Sequence, residues 1–181
     1  VGWGAAMNIM PWEFYLHYGD LDILRNNYEG MKGYIRYMLT WTDENGIMHS
    51  QAPDRNKPNR WINLGDWVAP GELPPDEMVH TFFLWRCSEL TAMAARALGL
   101  KDDESYYNNL AEKVRKAFHA KFYDNEKGSY GPAGGNIFAL RMGVPDEQRQ
   151  KVINALVTGI NEAGDHLDTG IFGTQFFFEV L

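Results

Sequence analysis

The chain has 181 residues, 45% of them hydrophobic and 14% aromatic, and 17 Lys and Arg against 24 Asp and Glu leave a net charge of −7. That length buries a sizeable core as one domain or as part of a larger one, and side chains this apolar offset the entropy of ordering, which excludes disorder. The acidic balance argues against a nucleic-acid surface, no apolar run approaches the ~18 residues of a membrane span, and Cys87 as the single cysteine leaves neither an internal disulfide nor a Cys-rich zinc site.

Pattern and punctuation predict helices nearly throughout. The first runs from about Ala5 to Tyr18 and stops at Gly19, with Pro11 either kinking it or marking its true first turn. The second opens at Asp20 as N-cap and carries Leu24, Tyr28, Met31, Ile35 and Met38 at three- and four-residue steps, ending near Thr42 before the turn dipeptide Asn45-Gly46. The third starts at Pro74-Pro75-Asp76-Glu77 and continues to Leu98 before Gly99. A fourth, from Asp102 or Asp103 to Phe122, shows Tyr107, Leu110, Val114, Phe118 and Phe122 on one side. Asn136 to Met142 makes a fifth. Asp146 to Ala163 makes a sixth, with Val152, Ile153, Leu156, Val157 and Ile160 inward, and a seventh starts near Gly170. Short links such as Gly19-Asp20 and Gly99-Leu100-Lys101 make consecutive helices antiparallel hairpins. No repeat of 34 or 40 residues is visible, which disfavours regular solenoids and favours an (α/α) toroid, of which seven helices are an arc.

One link departs from this economy. Residues 43–73 form a long connection with Arg55, Arg60, Trp61, Asp66 and Trp67, and connections of that length in compact domains are functional or disordered. Its tryptophans argue for function. Trp3, Trp61 and Trp67 lie outside the apolar stripes, beside Gly2, Gly4, Gly65 and Asp66. Indole rings stack on the C–H faces of sugars while carboxylates and imidazoles bond the hydroxyls; the competing reading is that these tryptophans plug the ends of a helical barrel. His166, in Gly164-Asp165-His166-Leu167-Asp168-Thr169-Gly170, either bonds a ligand or caps a helix end. Glu77-Met78-Val79-His80 has the Glu-x-x-His spacing of di-metal bundles but lacks a second copy, so a helix-start acid and an ordinary histidine are expected. Gly131-Pro132-Ala133-Gly134-Gly135 lacks the Lys-Ser/Thr ending of a P-loop and reads as a plain loop; there is no Gly-x-Ser-x-Gly for serine chemistry. No cofactor and no metal site are expected.

Taken together, Trp3-Gly4-Ala5-Ala6 leading to Pro11-Trp12, then Tyr18-Gly19-Asp20, Met31-Lys32, Leu64-Gly65-Asp66-Trp67-Val68 and His166-Leu167-Asp168-Thr169-Gly170-Ile171-Phe172-Gly173-Thr174, in this order, resemble bacterial α-L-rhamnosidases of glycoside hydrolase family 78 along essentially the whole chain. The resemblance implies an (α/α)6 catalytic barrel and hydrolysis of terminal α-L-rhamnosyl bonds with inversion by a general acid and a general base. It implies that Trp3 and Trp67 belong to the aromatic wall around the rhamnose ring, that His166 contacts sugar hydroxyls, and that Asp66 orients the loop or the ligand. One departure stands out: the family commonly reads Trp-Gly-Asp-Ala where this chain has Trp3-Gly4-Ala5-Ala6. The family's two catalytic carboxylate stretches, an Asp-x-x-x-Arg-x-Glu type and a Trp-Glu-Arg-Trp type, are not present.

The expectation is therefore residues 1–181 as a piece of such a barrel, cut at both ends, with a site-forming loop at 43–73, sugar-binding residues and no catalytic pair. A rhamnose-containing glycoside is the expected ligand. Such a piece exposes a barrel flank through which it self-associates, and its parent is periplasmic or secreted, where plant and polymeric glycosides are met. The alternative is a non-catalytic helical carbohydrate-binding or protein-interaction domain.

Overall fold

The computed structural model describes residues 1–50 and 65–180, so Arg55, Arg60, Trp61 and Leu64 of the long connection lie outside the described residues. Among those described, the chain is all-α: α1 (Ala6–Tyr18), α2 (Leu21–Leu39), α3 (Asp76–Leu98), α4 (Lys101–Phe122), α5 (Ala133–Met142), α6 (Asp146–Glu162) and α7 (Ile171–Val180). Extended pairing amounts to two isolated bridges, Thr42 with Met48 and Asp124 with Ser129, each closing a turn.

Helix α1 packs on α2, α3 on α4 and α5 on α6, as the short links require. A second series of contacts joins α1 to α3, α3 to α5 and α5 to α7. The odd-numbered helices thus stand side by side in one row, with α2, α4 and α6 behind them, which is the two-layered wall of an (α/α)6 toroid seen as an arc. Sequence assigns the rows. Helices α2, α4 and α6 each carry one apolar stripe and a polar back, whereas α3 buries every residue from Met78 to Ser88. A helix apolar on all sides belongs inside.

The stripe expected in α2 is the one observed: Leu24, Tyr28, Met31, Ile35 and Met38 are all buried, and Asp20 caps the helix by accepting from the Asp22 N–H at 2.9 Å. Gly19 and Gly99 end α1 and α3 in the left-handed conformation. The aromatic centre of the inner row is Phe82, whose ring lies 4.6 Å from that of Phe138 on α5 and 4.8 Å from that of Phe176 on α7. A buried amide joins three helices at the other end of the arc, where Asn8 on α1 donates to the Met31 carbonyl (3.1 Å) and to the Thr91 hydroxyl (2.9 Å).

The structure decides between the two places offered for Pro11 and corrects three other expectations. Pro11 lies inside α1, not in its first turn, and is buried. Helix α4 begins a residue or two early, at Lys101. Helix α5 begins at Ala133, three residues before Asn136, because Gly134 and Gly135 serve close packing: a Cβ on Gly135 would overlap the Tyr130 carbonyl. Val157 is half exposed at 50%, so the inward face of α6 is narrower than its apolar residues suggest and is carried by Val152 and Leu156.

Behind the inner row, His119 on α4 ties the start of α5 to its end. Its Nε2 donates to the Gly143 carbonyl at 3.0 Å, leaving Nδ1 to accept from the Tyr130 hydroxyl at 2.6 Å. Burial, reinforced by the nearby Arg115 guanidinium, pushes its pKa down from 6.5 to about 4. The unfolded chain therefore binds a proton that the folded chain refuses. This contribution is fully present above pH 6.5 and is lost as pH falls through about 4. Urea denaturation at pH 7 and pH 4.5 is expected to show a loss of about 1–2 kcal/mol, discounted for the imidazole's partial exposure. In His119→Gln, which keeps one donor and one acceptor without titrating, that loss should shrink; an equal loss in the variant would place the acid sensitivity elsewhere.

Candidate functional site

Four helices of the inner row begin around one short segment, Gly65-Asp66-Trp67. Gly65 lies against the first residue of α3, so closely that a Cβ on it would overlap the Asp76 carboxylate. Gly134, in the first turn of α5, faces Asp66 and Pro74, which a Cβ on it would meet in ordinary van der Waals contact. At α7 the contact becomes hydrogen bonding. The Asp66 carboxylate accepts from the N–H groups of Trp67 (2.9 Å), Phe172 (2.8 Å) and Gly173 (3.0 Å), and the Trp67 carbonyl accepts from Ile171 N–H (2.9 Å). Three of the N–H groups that a helix start leaves without intrahelical partners are thus met from a segment more than a hundred residues away in sequence. A carboxylate in that position also complements the helix dipole. Gly170 and Gly173 make room: a Cβ on either would press on the Asp66 carboxylate. Asp66 itself is 5% exposed. These hydrogen bonds tie the Asp66 segment to the start of α7.

The chain leading into α1 arrives at the same place. Gly2 packs where a side chain would collide with the Phe172 and Phe83 rings, Gly4 does so against Tyr34, and the Tyr34 hydroxyl donates to the Val1 carbonyl at 2.7 Å. Trp3, between these two glycines, therefore turns outward. Its ring meets Trp67 edge to face, with centroids 6.3 Å apart and planes at 89°, and rests on Phe172 at 5.6 Å. Both indoles stay about half exposed, 53% and 49%. Val68, directly after Trp67, has φ +61°, a left-handed conformation that β-branched residues rarely adopt; such strain is retained where surrounding contacts over-determine the backbone. From Trp3 an open apolar groove of about 570 Å³ continues along α1, lined by Met7, Met10 and Phe14.

Sequence reasoning grouped Trp3, Asp66, Trp67 and His166. The structure brings the first three together. His166 is exposed in the link between α6 and α7, and among the described residues its ring has no hydrogen-bond or ring-stacking partner. Ala5 is fully buried at the N-cap of α1, where no side chain caps the helix, so the acid missing from the Trp-Gly-Ala-Ala stretch is missing at a helix start. The Glu-x-x-His pair is occupied otherwise: Glu77 bonds His49 Nδ1 (2.7 Å) and Lys121 Nζ (2.8 Å), and His80 is buried. Among the described residues no group of three His, Cys, Asp or Glu side chains is arranged to hold a metal ion, and no helix is long and apolar enough to cross a membrane.

Two features of the site escaped sequence reasoning. One is the pair Gly170 and Gly173, whose spacing marks a helix start approached by another segment; the signal was the second glycine inside a predicted helix. The other is the half-buried hydroxyl pair Thr169 and Thr174, 2.8 Å apart across the first turn of α7, for which no local pattern gives warning.

Comparison with known proteins finds the chain similar to alpha-L-rhamnosidases. The family model described as the bacterial alpha-L-rhamnosidase 6 hairpin glycosidase domain matches residues 1–181. An alpha-L-rhamnosidase of Formosa agariphila is 30% identical over 190 residues, covering 99% of this chain and 19% of its own length. One of Alteromonas sp. (strain LOR) is 29% identical over 196 residues, covering 99% and 20%. Among solved structures, the Streptomyces avermitilis alpha-L-rhamnosidase complexed with L-rhamnose superposes with a TM-score of 0.83 at 26% identity, over 97% of this chain and 16% of that one. The alpha-L-rhamnosidase from Dictyoglumus thermophilum gives 0.83 at 28% identity, over 98% and 20%. The chain thus spans about a fifth of the length of the relatives it matches.

Proposed function

We propose, for a chain that belongs to the bacterial α-L-rhamnosidase six-hairpin glycosidase family, that it forms the sugar-holding arc of an enzyme removing terminal α-L-rhamnosyl residues from glycosides with inversion. The observation that carries this reading is the exposed, perpendicular pair of Trp3 and Trp67, locked by the Asp66 carboxylate onto the start of α7. Two indoles at right angles make a corner that takes the C–H face of a pyranose ring on one wall and its edge on the other. Water leaves both surfaces on binding, and the rigid backbone beneath them keeps the entropic cost low. The L-rhamnose bound by the Streptomyces avermitilis relative supports the same ligand class. His166 approaches the sugar hydroxyls from the link before α7.

Inverting hydrolysis needs two carboxyl groups ~6.5–9.5 Å apart, one protonating the departing oxygen and one activating water. The buried carboxylate at the centre of this site, Asp66, is occupied by three backbone donors and is not free for either role. In this reading the acid and base come from other parts of the parent protein, and the isolated chain is inactive.

Trp67→Ala in the parent protein is expected to raise KM for an aryl α-L-rhamnoside about tenfold, the loss of roughly 1–2 kcal/mol of ring contact, with thermal stability little changed because the indole is half exposed. Wild-type KM and turnover in that variant would remove Trp67 from the wall. The same assay applied to His166→Ala decides its contact.

A further inference from the structure

The outer row of the arc carries a concavity that the rhamnose-holding reading leaves unused. It is an open groove of about 630 Å³ between the turn at residues 43–47, which follows α2, and the second half of α4. That volume lies within the range of small-molecule sites. Small residues give it depth: a Cβ on Gly46 would already touch Ala117, and Ala120 lines the groove beyond it. The groove opens at the same end of the arc as the tryptophan corner. Lys121, on its rim, bonds Glu77 in the first turn of α3 at 2.8 Å, and the neighbouring Asp76 packs on Gly65 of the tryptophan segment.

The charge of the lining runs against that of the chain. In a protein of net charge −7, the ammoniums of Lys113, Lys116 and Lys121 meet a single carboxylate, Asp43, in the lining. That carboxylate is already occupied. Its Oδ1 accepts from the N–H groups of Asn45 (3.0 Å), Gly46 (2.9 Å) and Ile47 (2.9 Å), and its Oδ2 bonds His49 at 3.2 Å. Lys113 has no carboxylate partner among the described residues and donates to the Glu44 carbonyl at 3.0 Å. Lys116 pairs loosely with Glu112, at 3.5 Å, and its side chain is 72% exposed. Exposed pairs of this kind contribute little, so both ammoniums are available to an incoming anion. About two helical turns separate Lys113 from Lys121, roughly 12 Å of rise, which suits anionic groups carried on more than one ring.

No aromatic ring lines the groove, so a nucleobase would find nothing to stack on. The Asn45 amide offers hydrogen bonds to hydroxyls, and the lysine stems with Ala117 and Ala120 cover C–H faces. Resting on the reading given under Proposed function, we infer that this groove is a second saccharide site, separate from the place of hydrolysis, which takes an acidic oligosaccharide through its carboxylate or sulfate groups. Lys113 and Lys116 supply the charge recognition, with Lys121 shared between the ligand and Glu77. The groove would hold the protein on an acidic glycan while the corner takes a rhamnosyl end.

The test is titration calorimetry of the full-length parent at low ionic strength with unsaturated chondroitin 4-sulfate disaccharide, its unsulfated counterpart, inorganic sulfate and cellobiose. At least one acidic disaccharide is expected to bind, and which of them does identifies the acid group. Affinity should fall at least tenfold in the Lys113→Ala, Lys116→Ala double variant, persist when both are changed to Arg, and weaken with added salt. Binding of neither acidic disaccharide, or equal affinity in wild type and the Ala double variant, overturns the site. Sulfate binding as tightly as the disaccharides reduces it to a simple anion patch, and cellobiose binding as tightly removes the role of charge; either overturns the inference. Acetic anhydride labelling read by mass spectrometry gives an independent readout. Slower labelling of Lys113 and Lys116, but not of the exposed Lys127, on adding the disaccharide supports the groove. Protection of both lysines without ligand shows that another part of the protein covers them and overturns it. Turnover of p-nitrophenyl α-L-rhamnoside should be unchanged in the Ala double variant, and a fall there would place the lysines in the rhamnose site and overturn a separate one. A wild-type parent that fails to hydrolyse this substrate would strike the rhamnosidase reading, whereas the binding measurements would still decide the groove.

Discussion

Asp66→Ala should destabilise the protein by about 3–5 kcal/mol, far more than a loop residue ordinarily commands. The substitution strips the partner from the N–H groups of Phe172 and Gly173 at a buried helix start and from Trp67 N–H beside them. Each buried donor left unmet costs about 1–3 kcal/mol, and water enters poorly where Gly65, Gly134 and Gly170 already press in. The favourable interaction between the carboxylate and the α7 dipole is lost as well. Asp66→Asn retains an acceptor and should lie between wild type and Ala, because its amide satisfies the α7 donors less completely. Urea denaturation measures the stability, and tryptophan fluorescence reports the corner, since Trp67 is released together with the loop. A midpoint within 0.5 kcal/mol of wild type, about the scatter of surface substitutions, would mean that the loop is held by something other than this carboxylate. Sugar affinity should fall along with stability, which separates Asp66 from Trp67, whose removal is expected to lower affinity alone.

How far the sequence disclosed this arrangement differs by layer. The stripe of α2 was legible to the residue because an outer helix has a water side, so its period shows in one dimension. The inner helices carried a different signal, apolar residues on every face, which marks an interior position but leaves neighbours and register open. Gly134 and Gly135 read as loop because glycine disfavours a helix in isolation, whereas here the backbone of Tyr130 approaches too closely for a side chain. In the site, Trp3, Asp66 and Trp67 stood out as aromatics and an acid among glycines, and motif order supplied the grouping that periodicity could not. What no local pattern contained was the bond from Asp66 to α7, since its partners lie 106 and 107 residues further along. His166 was singled out by residue type; its geometry has no counterpart to the Asp66 bonds.

Phe82→Ala should cost about 3–5 kcal/mol and should act on the whole inner row rather than on one helix. The ring has no exposure and touches Phe83, Trp85, Phe138 and Phe176, so removing it opens a cavity where α3, α5 and α7 meet. The neighbours are themselves rings packed edge to face or tilted, stiff enough that collapse recovers little of the lost contact. Phe178, on the far face of α7 and 73% exposed, offers the matching control: the same side chain deleted there should change stability by no more than about 0.5 kcal/mol. The contrast also bears on the site. Phe176 and Phe172 share α7, and Phe172 supports Trp3 at 5.6 Å, so loosening the Phe82 contact transmits to the tryptophan corner through one short helix. Differential scanning calorimetry of the two variants, with rhamnose binding measured below the transition, distinguishes the outcomes. Equal melting temperatures for Phe82→Ala and Phe178→Ala would show that the inner row is not organised around this ring. A large drop for Phe82→Ala with weakened sugar binding would tie the stability of the inner row to the shape of its sugar-facing end.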